Sequence, residues 1–173
     1  MKINVALFGL GRIGVMHAQN IKSNPKFRLK YIYDINKKRS ILISKKFKTI
    51  SLINPSSAFV DKSIKIIFIS SSTSTHIQLI KKAAKNKKII FCEKPLDLNI
   101  SKIISCKKEI KKYKPKIQLG FNRRYDPSHF ALKKSLIKGQ IGKLEKIIIT
   151  SRDPAPPSFK YLKSSGGIFR DMT

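Results

Sequence analysis

The stretch "INVALFGLGRIG", residues 3–14, decides how the rest of the chain is read. Its first seven residues form a continuous strand-length run, apolar apart from Asn4 and containing β-branched residues. That is the pattern of a strand buried on both faces, as in a parallel sheet. Directly after it come Gly9, Gly11 and Gly14 in the spacing GxGxxG, and a segment of helical period opens at Arg12. In that context each glycine has its own expected task. One makes a tight turn, one lets backbone approach a pyrophosphate, and one packs helix closely against strand. The start of the helix offers unbonded N–H groups and the positive end of its dipole to phosphate. Contacts to a dinucleotide are therefore expected at Gly9, Gly11, Arg12, Ile13 and Gly14.

Working outward, the same alternation repeats. The helix from Arg12 to Ser23 is expected to end at Asn24-Pro25. "FRLKYIYD" (27–34) reads as a second strand and 36–47 as a second helix. "IKIIFIS" (64–70) is another buried strand. Thr75 is expected to cap the helix "HIQLIKKAAKN". "KIIFCE" (88–93), a helix near 99–112 and a strand "KIQLGF" (116–121) follow. Strands alternating with helices at this spacing imply right-handed crossovers and a parallel sheet. The expected fold class is α/β. Residues 1–118 would form a doubly wound parallel Rossmann domain. Residues 119–173 would be the incomplete start of an α+β open-sheet domain. In that second part "NRRYDP" reads as a polar turn, 128–138 as a helix closed by Gly139, "KLEKIIITSR" (143–152) as a strand and "DPAPPS" as a stiff loop.

An acid at the end of the second strand would complete the dinucleotide reading, and Asp34 is there. Its carboxylate can accept from both ribose hydroxyls and would repel a 2′-phosphate, which favours NAD over NADP. Lys37, Lys38 and Arg39 just beyond it work against that repulsion. The alternative for Asp34 is an ordinary strand-end or helix-capping acid.

Composition bounds the rest. The chain has 173 residues, enough for one domain and part of another. It has 38 basic and 9 acidic residues, a formal charge of +29. Such charge suits polyanions. Here, however, lysine doublets recur in nearly every segment and isoleucine rises with lysine. That argues for compositional drift rather than a designed basic face, and no specific nucleic-acid partner is expected. Cys92 and Cys106 are too few for a disulfide scaffold. No run of 18 apolar residues calls for a membrane span, and the expected location is cytoplasmic. No spacing of histidine and cysteine suggests a metal.

"FCEKPLDL" (91–98) follows a strand at the edge where open α/β sheets bind ligands. Lys94 there can hydrogen-bond a substrate hydroxyl and stabilise an alkoxide; the plainer reading is one more surface lysine. Pro95 can fix the turn that aims it, with a cis peptide as one way of doing so. Arg123 and Arg124 are two of only seven arginines. They suit either a substrate cleft or ion pairs with Asp126 or Asp153. Asp153 suits either substrate hydroxyls or a turn. His17, His76 and His129 read as structural, and Cys92 as inert packing.

The motifs "GLGRIGVMHA", "STSTHIQLI", "FCEKPLDL", "GFNRRYDPS", "GQIGKLEKI", "SRDPAPP" and "SGGIFRDM" occur in an order that resembles the Gfo/Idh/MocA family, and within it the inositol 2-dehydrogenases. The resemblance covers the whole chain. It implies NAD-dependent oxidation of a cyclic polyol, myo-inositol before others, to a ketone. It implies that Lys94 and Asp171 are catalytic, with a histidine four residues after Asp171, beyond Thr173. It implies cofactor contacts at Ser71, Thr73, His76, Glu93 and Lys94, and substrate contacts at Lys94, Arg123, Arg124, Asp153 and Asp171. It also implies a homo-oligomer, a dimer or tetramer, for the full-length form. The expectation is then of a partial chain, inactive by itself because the histidine base is missing. The alternatives are a dinucleotide-binding module without catalysis and a basic nucleic-acid-binding protein.

Overall fold

Residues 5–8 are buried on both faces because β1 (Ile3–Phe8) is a central strand. Val5 and Leu7 point to one side, into a core with Leu10, Ala18, Ile21, Leu29 and Ile32. Ala6 and Phe8 point to the other, into a core with Ile64, Ile67, Ile69, Ile80, Ile90 and Cys92. Two cores on two faces explain why the sequence shows no polar alternation here. Each fully buried aliphatic side chain contributes about 1.5–3 kcal/mol, so this strand anchors the domain. In the computed structural model the described residues are 1–152, 155, 156, 159 and 162.

The elements follow in the order α1 (Arg12–Ser23), β2 (Phe27–Tyr33), α2 (Lys37–Phe47), β3 (Ile50–Ser51), α3 (Ser57–Val60), β4 (Ile64–Ile69), α4 (Thr73–Lys85), β5 (Ile89–Cys92), α5 (Ile100–Ile110) and β6 (Ile117–Leu119). All strands pair in parallel, in the order β3-β2-β1-β4-β5-β6. The chain reverses its direction of winding between β1 and β4. That is the topological switch point, and the crevice outside the carboxyl ends of these strands is where such sheets take ligands. The α/β doubly wound reading is thus the observed fold. The short β3 and α3 went unread because two and four residues carry no measurable period.

Two expectations need correction. Thr75 does not cap α4. The helix starts at Thr73 with Ser72 as its N-cap, and the Thr75 hydroxyl donates to the Ser72 carbonyl at 2.7 Å. A threonine hydroxyl can bond backward to a carbonyl three residues earlier without ending a helix. The strand expected over 143–152 does not form: these residues enter no ladder, and Ile147, Ile148 and Ile149 are exposed. Apolar β-branched sequence makes a strand only against a neighbouring edge that accepts its hydrogen bonds.

The chain divides into two compact units, Met1–Leu119 and Gly120–Thr173. The second holds a 3₁₀ turn (Asn122–Tyr125) and α6 (Pro127–Ile137), capped by Asp126 through Ser128 and His129 N–H groups. Gly139 follows the helix at φ +70, and its N–H bonds back to the Leu136 carbonyl. That left-handed residue is the expected glycine stop. Among the described residues no helix is long and apolar enough to cross a membrane.

Both cysteines are buried. Burial, and next the nearby Glu93 carboxylate, push the Cys92 thiol up to about 12. Burial also raises Cys106. Neither thiol should react with a disulfide reagent at about pH 8 in the folded protein, whereas both react in denaturant. Rapid labelling of the native protein would contradict this packing.

At the amino edge of the sheet, Asp61 accepts from Lys30 Nζ at 2.7 Å and from the Tyr31 hydroxyl at 2.9 Å. The Lys30 ammonium, and next Ser63, hold its carboxyl below the ordinary 3.8. A group lowered on folding stabilises fully above its unfolded value and loses that contribution as pH falls through its folded value. Melting temperature should therefore fall as pH drops below about 4. Asp61→Asn should start lower and fall less over the same range. Parallel pH curves for the two proteins would remove Asp61 from the acid response.

Candidate active site at the carboxyl edge

The glycine loop leaves β1 at Gly9, which sits at φ +87, the left-handed region open to glycine. A Cβ at Gly9 would lie 2.4 Å from Ser71 backbone, and one at Gly14 would lie 2.0 Å from the Gly9 carbonyl oxygen. Neither position has room for a side chain. Gly11 is different: a Cβ there meets nothing within 4 Å. The space over Gly11 is open and lies at the N-terminus of α1. No side chain caps that terminus and no acid sits in its first turn. The first-turn N–H groups of Arg12, Ile13 and Gly14 therefore have no intrahelical partner. This cradle fits a pyrophosphate: open backbone, unfilled donors and the positive end of a 12-residue helix.

Asp34 closes the loop from the tip of β2. Its Oδ2 accepts from Leu10 N at 2.7 Å and its Oδ1 from Asn36 N at 2.8 Å. It does not cap α2; Asn36 does that, accepting from Arg39 N at 3.0 Å. Arg39 stands 3.7 Å from Asp34 Oδ2, the one member of the basic trio within ion-pair reach among the described residues. Asp34 is 9% exposed, so its position is fixed by the fold. Ile35, next along the chain, is 90% exposed and offers an apolar face beside it. In the sequence Ile35 is marked only as an isoleucine directly after the terminal acid of a strand, outside any periodic segment.

Across the switch point, Ser70 Oγ donates to the carbonyls of Phe8 and Gly9 at 3.2 and 3.0 Å and holds the β4 loop against the glycine loop. Ser71 shares a 2.6 Å hydroxyl contact with Thr75, and Thr73 opens α4. His76 is 1% exposed, and its two ring nitrogens lie 2.9 Å from the carbonyls of Pro95 and Ser71. The ring of His76 thereby ties two loops of the edge together. Its burial follows from helical spacing, because it shares a face with Ile80, Ala83 and Ala84.

β5 delivers Glu93, Lys94 and Pro95 to the same edge. Glu93 N donates to the Ile69 carbonyl at 2.8 Å, which extends the sheet by one bond. Glu93 Oε1 is 2.7 Å from His17 Nε2 on α1, and Glu93 Oε2 accepts from Lys94 N at 3.3 Å. Lys94 is exposed, and the peptide between it and Pro95 is cis. The His17–Glu93 contact was not anticipated. The helical period held a clue, since His17 lies three residues after buried Gly14 on the face toward the sheet.

The fold thus brings Gly9, Gly11, Arg12, Ile13, Gly14, Asp34, Ser71, Thr73, His76, Glu93 and Lys94 to one edge of one unit. Arg123 and Arg124 lie in the second unit on the 3₁₀ turn, both exposed. Asp126 is occupied in capping α6 and in a 2.9 Å contact with His129 Nδ1. Asp153 and Asp171 lie outside the described residues. Among the described residues no group of histidine, cysteine and carboxylate side chains could hold a metal.

Known proteins carry the same design. The chain is 40% identical to the inositol 2-dehydrogenase of Rhizobium meliloti, over all of this chain and 52% of that protein. A crystal structure of a myo-inositol dehydrogenase from Corynebacterium glutamicum superposes with a TM-score of 0.92 at 41% identity, over 99% of this chain and 52% of that one. A scyllo-inositol dehydrogenase from Lactobacillus casei, crystallised with NAD(H) and scyllo-inositol, gives 0.76 at 29% identity, over 82% and 43%. The chain spans about half the length of the curated relatives it matches. Residues 3–121 match the family described as an oxidoreductase family with an NAD-binding Rossmann fold. NAD is the cofactor of that fold. The chain belongs to the Gfo/Idh/MocA oxidoreductases.

Proposed function

We propose that this chain binds NAD at its carboxyl edge, and that the protein oxidises a cyclic polyol hydroxyl, with myo-inositol the first candidate, to the ketone. The contrast among the glycines carries the reading. Two have no room for a side chain and hold the loop; the third faces open space and leaves backbone bare where phosphate would lie. The relatives named as inositol dehydrogenases favour a polyol over other alcohols.

NAD supplies the hydride acceptor. The first turn of α1 would bind pyrophosphate, Asp34 would accept from the ribose hydroxyls, and Ile35 would lie against the adenine. Lys94 would donate to the substrate hydroxyl and hold the oxygen as it loses its proton. Arg123, Arg124, Asp153 and Asp171 would contribute substrate contacts. The reading calls for a histidine base with Asp171 beside it. None of the three histidines here fits that role. His17 faces Glu93, His76 is enclosed between two carbonyls, and His129 contacts Asp126.

A titration with NAD and NADP tests the binding half. Saturable NAD binding, tighter than NADP by about tenfold or more, is expected because Asp34 repels a 2′-phosphate. Absence of saturable NAD binding would overturn the proposal. For the chemistry, Lys94→Met in a form that turns over inositol should leave NAD affinity within about threefold and lower turnover by at least about 100-fold. Unchanged turnover would remove Lys94 from the reaction.

A further inference from the structure

The proposed function gives no role to one contact at this edge, that between His17 and Glu93. His17 projects from α1 toward the sheet, and its ring is held by two aromatic neighbours. Its centroid lies 4.9 Å from that of Phe68 on β4 and 5.3 Å from that of Phe91 on β5. Those two rings stack at 4.0 Å and 20°. Tilted and edge-to-face contacts at these distances are favoured aromatic arrangements. The orientation they leave aims Nε2 at Glu93 Oε1, 2.7 Å away, with both side chains largely buried at 12% and 19% exposure. A contact this short needs one hydrogen between the two atoms, and a carboxylate only accepts. Glu93 in turn has its second oxygen on the Lys94 N–H. A chain of contacts therefore runs from the sheet-facing side of α1 to the residue proposed to handle the substrate hydroxyl.

We infer that His17 is a positioning residue: its Nε2 hydrogen, aimed by Phe68 and Phe91, fixes the Glu93 carboxylate and through it the turn that presents Lys94. The role assigned to that turn rests on the proposed function above. The geometry of the link does not. The physical reason for the device is that Lys94 lies two residues beyond the end of a four-residue strand. A long flexible lysine is useful in catalysis only if its backbone is held, since small displacements of a reacting group lose orientation. The glycine-loop helix and the lysine turn become one rigid unit, so whatever seats on α1 is registered against Lys94.

The test uses the chain itself, with ring nitrogens labelled in its three histidines. The His17 signals should show hydrogen on Nε2, and Glu93→Gln should change those signals while leaving His129 unmoved. The Lys94 backbone amide resonance should shift in both Glu93→Gln and His17→Leu. His17→Gln, which keeps a donor on that helix face, should recover part of the shift. In a form that turns over inositol, His17→Leu should lower kcat by up to about 100-fold, the scale of loss when a reacting group is displaced by about 1 Å. KM for NAD should stay within about threefold. An Nε2 without hydrogen, an unmoved Lys94 amide, or an unchanged kcat overturns the inference. If His17→Leu fails to fold, Glu93→Gln and the imidazole spectrum of the unaltered chain decide it. If no form turns over inositol, the proposed function falls, and the imidazole and amide signals still judge the His17 link.

Discussion

Gly11→Leu should weaken NAD binding by at least about 100-fold, some 2.7 kcal/mol or more, while moving stability by no more than about 0.5 kcal/mol. A Cβ at position 11 touches nothing within 4 Å, and the backbone there, at φ −66 and ψ −172, suits any L-residue. The folded chain therefore has no reason to resist the substitution. The pyrophosphate does, because a leucine would occupy the space through which it approaches the α1 N–H groups. Leucine adds no charge, so the loss is steric. Isothermal titration beside thermal melting separates the two quantities. Wild-type affinity in a well-folded Gly11→Leu protein would mean that the open space over Gly11 is not the phosphate site.

The opposite outcome is expected three residues on. Gly14→Ala should cost about 3 kcal/mol, the upper end of overpacking costs, which lowers the melting temperature by about 6–12 °C for a chain of this size. An added methyl would stand 2.0 Å from the Gly9 oxygen and 2.8 Å from its carbonyl carbon. Both are backbone atoms of a loop pinned by Ser70 and by the bond from Gly9 N to the Tyr33 carbonyl. Nothing flexible can give way, so α1 must move off the sheet, and NAD affinity should fall with it. Chemical denaturation of Gly14→Ala and Gly11→Leu side by side makes the contrast plain. Equal stability in the two would show that the helix is not seated on Gly9 as described.

Much of this was legible in the residues. Strand and helix periods in the first unit were strong because β1 and β4 are buried on both faces and α4 on one. Asp34 could be placed because a fixed strand length puts the next acid at the sheet's edge. What failed was local and short or depended on a partner. The two-residue β3 and four-residue α3 are too brief for a period. Thr75 looked like a cap because cap propensity does not say which of several serines and threonines the backbone uses; Ser72 came first. The run 143–152 looked like a strand because its composition is that of one, but ladder bonds belong to a pair of segments and no single sequence window contains the second.

The alternation of elements, hence the parallel sheet and its switch point, can be read along the chain, as can the chemical types delivered to that edge: glycines, an acid, a lysine. These follow from period and spacing along the chain, which are local properties. Packing of the helices on the sheet settles which glycine is open and which two are closed, that Asp34 is tied to Leu10 rather than capping α2, that His76 is enclosed, and that His17 meets Glu93 across 76 residues. Each of these is a contact between segments distant in sequence, fixed by how helices seat on the sheet, and steric room and hydrogen-bond partnership exist only once that seating is complete.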